Sequence, residues 1–183
     1  RAVAATLSTS AQKSDSKSPG TRGKMVSMLR SELISAQEYA DKWKAAESSE
    51  EKEPPARNLR LEALVDVLAG DVPLLITAHR SQDIANALRL AKEFDIVIWL
   101  DGAAEAYMLM EEIRDARVPV IIHPTMARPT SDLENLSFET ASKLVEAGIP
   151  VAMQSGYEAY VPKTRVVLFE AAMAAANGMT FEQ

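Results

Sequence analysis

No cysteine occurs in this chain. That excludes a disulfide frame and thiolate catalysis, and it leaves the compartment open between cytoplasm and periplasm. Histidine is almost as scarce. His79 and His123 are the two among 183 residues, so a metal site built on several imidazoles is excluded within this segment. No apolar run approaches the roughly 20 residues that span a bilayer, so the chain reads as soluble and without a membrane partner. Positive charge is in the minority, with 20 Lys and Arg against 26 Asp and Glu for a net charge of −6. Phosphate binding needs a concentrated basic surface, so the charge argues against a nucleic-acid partner, and none is expected.

What is present is core-forming material. With 47% hydrophobic residues in 183, the chain is able to bury one real core in one or two domains. It opens at Arg1 with no charged-then-apolar signal pattern. At the other end Gly178 suits a helix C′ position, and Thr180-Phe181-Glu182-Gln183 reads as a capping box opening a further helix. Both ends therefore read as cuts in a longer protein.

Composition divides the chain in three. Residues 1–20 are rich in Ala, Ser, Thr and Lys with almost no large apolar side chain, the signature of a disordered stretch. Residues 21–70 read as a helical segment. Met25, Met28, Leu29, Leu33, Ala36, Tyr39, Ala40 and Trp43 recur at steps of three and four, a stripe that suits a packing helix or, less commonly, a partner-binding one. A charged, Pro-containing linker follows at 47–57, and Asn58 then caps a short helix that Gly70 ends.

Residues 71–183 are repetitive. The runs 73–78, 96–100, 118–122 and 150–153 are continuous apolar strands, and each is followed by a helical pattern, near 81–94, 104–116, 138–147 and 164–177. Strand, crossover and strand repeated in this way predict parallel pairing, in order, with helices packed on the sheet. The fold class is α/β: four parallel βα units preceded by helices, which is half of an eightfold (β/α) TIM barrel or a small open sheet. The cut ends favour the partial barrel.

In βα units the chemistry collects where strands end. His79 and Arg80 end the first run, Asp101 the second and His123 the third; Gln154, Ser155, Tyr157 and Glu158 follow the fourth. Each has an ordinary alternative. A His past a strand is often held by a carbonyl or carboxylate, Asp101-Gly102 suits a simple turn, and His123-Pro124 suits a rigid bend. An acid and two imidazoles at three consecutive strand ends favour a cleft. There His79, Asp101 and His123 are the catalytic candidates, and Arg80, Tyr157 and Glu158 the substrate-binding ones.

The stretches VPLLITAHRSQDIANALRLAKEF, DGAAEAY and SGYEAYVPKTRVVLFEAAMAAANGMTFEQ resemble the second half of an amidohydrolase of the imidazolonepropionase-related type. PGTRGKMVSMLRSELISAQEYADKWK resembles the helical segment ahead of the fifth barrel strand in those proteins, so the resemblance runs from Pro19 to Gln183. It implies a TIM-like barrel and a hydrolase of C–N bonds, of the cyclic amide or N-acyl type, that uses zinc or a similar divalent metal. It also implies metal ligands at the ends of the fifth, sixth and eighth strands. Here those positions are Thr77, Gly102 and Gly156, none of which does the work of an imidazole or a carboxylate on such a cation. No metal or other cofactor is therefore expected from this segment. Two readings stay open: a divergent hydrolase, or a non-catalytic member of the fold that binds a small molecule or serves as a partner subunit. Half a barrel also leaves edges at 74–76 and 151–153 for the remainder of the barrel, or another copy of the chain in an oligomer, to cover.

Overall fold

The computed structural model describes residues 1–12, 19–48, 53–125, 127, 129, 131–156 and 164–183. Five strands, β1 Val3–Thr6, β2 Leu74–Ala78, β3 Ile98–Gly102, β4 Val120–Ile122 and β5 Val151–Ala152, form one sheet in sequential order. Every neighbouring pair is parallel. The helices are α1 Arg22–Glu47, α2 Leu59–Leu68, α3 Ser81–Phe94, α4 Met110–Asp115, α5 Thr140–Glu146 and α6 Val167–Ala176. This is the arrangement of a partial (β/α) barrel.

Strand alternation separates the two faces of the sheet. Leu74, Ile76, Ala78, Ile98, Leu100, Val120 and Ile122 are buried, under helices that include α3, which packs on β2 and β3. The opposite face carries Leu75, Thr77, Trp99, Asp101, Ile121 and Ala152, none of them buried. Trp99 is 40% exposed. One face is therefore core, and the other is a wall left open among the described residues.

α3 forms because Ile84, Ala87, Leu90 and Phe94 recur on one side and are buried there. Asp95 stops it in a left-handed conformation at φ 53°. α1 buries Met25, Val26, Leu33, Ala36 and Tyr39 and packs on α2, the packing role its stripe suggested. Met28 falls outside the stripe, 42% exposed. Asn58 caps α2 as expected, accepting from the N–H groups of Arg60 and Leu61 at 3.2 and 3.3 Å. No helix among the described residues is long and apolar enough to cross a membrane.

The start of the chain corrects the sequence reading. Residues 3–6 lie in the stretch whose composition suggested disorder, yet they form β1 and pair in register with β2 from Val3↔Leu74 to Thr6↔Thr77. Leu7, the one large apolar residue nearby, is 1% exposed and anchors the strand. Small residues give little local preference; the free edge of β2 supplies the partner. The edge at 74–76 is thus covered by this chain itself. A second difference is the crossover after β3. A helix over 104–116 was expected, but a 3₁₀ turn at Ala106–Met108 precedes a shorter α4. Gly102 and Ala103 turn the chain at φ 81° and 44°, and Glu105 is held in a polar cluster described below.

Candidate functional site

Thr77 and Asp101 are register partners at the carboxyl ends of β2 and β3. The Thr77 hydroxyl donates to Asp101 Oδ2 at 2.7 Å. Gln154, two residues beyond β5, donates from Nε2 to Asp101 Oδ1 at 2.8 Å. Since Asp101, Ile121 and Ala152 share one rung of the sheet, Gln154 reaches back across β4 along the open face. Three strands thus converge on one carboxylate.

His79 follows β2, and its ring rests on Gly102. A Cβ at Gly102 would lie 2.7 Å from His79 Nδ1 and closer still to Cε1, so that glycine is what admits the ring. Burial pushes the imidazole below its ordinary pKa, with Asp132 and Asp101 pulling the other way. The ring is accordingly neutral at neutral pH. Its Nδ1 is buried without a hydrogen-bond partner among the described residues.

His123 lies near His79 but is itself held in the protein interior. It is 1% exposed, with Nδ1 at 3.2 Å from the Pro124 carbonyl and Nε2 at 3.3 Å from Thr140 Oγ1. Burial lowers its pKa too; the contact with Pro124 opposes this and the nearby His79 adds to it. Arg80 is engaged by the protein's own groups. Nη1 donates to Glu105 at 2.9 Å, and Nη2 to Glu134 at 2.8 Å and to the Ser131 carbonyl at 2.7 Å. Both acids raise its pKa, Glu134 most. Tyr157 and Glu158 lie outside the described residues.

A second layer of polar groups, not singled out by sequence reasoning, supports these ends. Glu105, 4% exposed, accepts from the Ser81 N–H at 2.6 Å, from Arg80 and from Asn135 Nδ2 at 2.8 Å. Its own N–H donates to the His79 carbonyl at 2.9 Å. It thereby clamps the His79–Ser81 turn from both sides. Burial works against its ionisation, but the Ser81 N–H, Arg80 and Asn135 outweigh that and hold its pKa at about 2. Arg22, at the start of α1, pairs with Asp83 and, at 2.5 Å, with Asp132. Asp132 also accepts from Thr9 N at 2.6 Å and from its hydroxyl at 2.8 Å. Burial raises Asp83 to about 6 despite Arg22. On the far side Glu170, 4% exposed, accepts from Thr125 N at 2.7 Å and from Thr125 Oγ1 at 2.5 Å. The signal available for Glu105 was its position four residues past a strand-ending Asp; Asp132 and Glu170 carry no local signal, because loop and helix meet the site only in space.

No protein-family model and no curated protein matches the chain. Among solved structures it is similar to an amidohydrolase from Thermotoga maritima MSB8, at 28% sequence identity and a TM-score of 0.82, over 90% of this chain and 42% of that one. The chain has the amidohydrolase fold. It spans 42%, less than half, of that protein's length.

The amidohydrolase resemblance raises the question of a metal, and it bears on positions 77, 102 and 156. The Thr77 hydroxyl is given to Asp101. The space over Gly102 is filled by the His79 ring, and a Cβ at Gly156 would lie 2.7 Å from Pro124 Cγ. Among the described residues no three His, Asp or Glu side chains converge as a metal would need. Thr77, Gly102 and Gly156 offer such an ion no imidazole or carboxylate.

Proposed function

We propose that the full-length protein is a hydrolase of C–N bonds, of the cyclic amide or N-acyl type, whose usual metal ligands are replaced in this segment. The observation that carries the reading is the likeness to the T. maritima amidohydrolase across 90% of the chain. The residues follow from the strand ends. A neutral imidazole accepts a proton, so His79 is the acid–base group. Asp101, braced by Thr77 and Gln154, is the acceptor that orients the substrate or takes a proton from it. His123 backs the site as a buried neighbour of His79. Arg80 has two carboxylates on its guanidinium, so a substrate anion would have to displace one of them. Tyr157 and Glu158, which follow the fourth apolar run, remain substrate-binding candidates.

The second reading, a non-catalytic binding or partner subunit, is favoured by one observation, the absence of any three-ligand metal group among the described residues. One experiment separates them. The full-length protein is screened for hydrolysis of cyclic amides and N-acyl amino acids, beside a His79→Asn variant and with elemental analysis. Turnover that falls by about 100-fold or more in the variant supports the hydrolase. A folded protein with no turnover on any substrate supports the subunit. Stoichiometric zinc that is lost on His79→Ala overturns the metal-free site.

A further inference from the structure

We propose that Thr77 and Gln154 are positioning residues that present the Asp101 carboxylate as a fixed acceptor for an N–H group of the bound ligand. The inference rests on the C–N hydrolase reading for the kind of ligand, and adds which atom of it is recognised and by what.

An ionised carboxylate offers about four acceptor positions. Asp101 uses one on each oxygen, for Thr77 at 2.7 Å and Gln154 at 2.8 Å. Both donors are neutral. They restrict the carboxylate's rotation without cancelling its charge, and they leave a lone pair on each oxygen for a third donor. The side chain is half-buried on the open face of the sheet, so that donor has a way in. The two braces come from different strands, one beside β3 and one two strands away, so rotation of the carboxylate breaks at least one bond. Such a group is organised before the ligand arrives, which is the arrangement that makes hydrogen bonds to a ligand discriminating.

Nothing in the strand itself demands a hydroxyl at position 77. Valine serves a half-buried strand position as well, so the hydroxyl is what threonine adds. The same holds for Gln154, which is past the end of β5 and donates to Asp101 through its amide. The His79 ring rests on Gly102, the residue after Asp101, and feels the Asp101 charge.

The test is calorimetric titration of the full-length protein with succinimide, which has one imide N–H, and with N-methylsuccinimide, which has none. Succinimide should bind about tenfold more tightly, the worth of one hydrogen bond to a charged acceptor. Asp101→Ala should abolish that preference. Thr77→Val and Gln154→Met should each reduce it severalfold, Thr77→Ser should restore it, and Thr77→Val should have no further effect on it in the Asp101→Ala background. Melting temperatures are followed in parallel. A Thr77→Val protein that melts earlier but keeps the full preference would show a merely structural brace and overturn the proposal. So would equal binding of the two probes, or binding of neither. An N–H preference without hydrolysis of any C–N substrate fails the hydrolase reading alone; hydrolysis without that preference fails this inference alone.

Discussion

Replacing Glu105 by glutamine removes one charge from a buried position and keeps the shape. Glu105 is 4% exposed and accepts three hydrogen bonds, at 2.6, 2.9 and 2.8 Å, from Ser81, Arg80 and Asn135. An amide has one acceptor oxygen and an NH2 group, so at least one of those donors faces a donor in Glu105→Gln. Holding the carboxyl at about 2, against an ordinary value near 4.3, corresponds to about 3 kcal/mol of stability at neutral pH. The direct hydrogen-bond count agrees, since a bond to a charged group is worth about 1.5–3 kcal/mol and the Arg80 end keeps Glu134. The sign follows from linkage. A depressed folded pKa gives stability that is fully present above about 4.5 and is lost as pH falls through about 2. Glu105→Gln should therefore melt about 6–12 °C below the parent at pH 7, and the difference should shrink as both are taken towards pH 2. Thermal unfolding by circular dichroism across that range measures it. A variant within about 1 °C of the parent at pH 7, or a gap that does not change with pH, would refute the clamp.

Asp83 works in the other direction: its raised value of about 6 means that the ionised form is disfavoured in the fold. Its contribution to stability is complete below about 4 and lost as pH rises through 6. Urea denaturation of Asp83→Asn at pH 5 and pH 7.5 should show a flatter pH dependence than the parent. Gly102→Ala sets a Cβ against the His79 ring at φ 81° and should cost about 2–4 kcal/mol by chemical denaturation, with the His79 ring resonances displaced in the NMR spectrum. Leu100→Ala empties a fully buried site in the central strand and should cost about 2–5 kcal/mol in the same assay, whereas Leu168→Ala, 85% exposed, should stay within about 0.5 kcal/mol.

The four later strands and their order were legible in the sequence because each is a short apolar run followed by a helical pattern. Both are local signals, and short crossovers favour parallel pairing of sequential strands. The same locality placed His79 and Asp101 at strand ends. Tertiary structure alone recruited residues 3–6 as a strand, since Val-Ala-Ala-Thr has no strong preference until the β2 edge offers it hydrogen bonds. It alone decided which polar groups became partners. Thr77 and Gln154 are 77 residues apart and meet on one carboxylate; Arg80 is held by Glu105 and by Glu134, which lies in a loop that no periodicity describes. Hydrophobic spacing is written along a chain, whereas a hydrogen bond between distant side chains depends on the sheet's register, and register exists once the strands have paired.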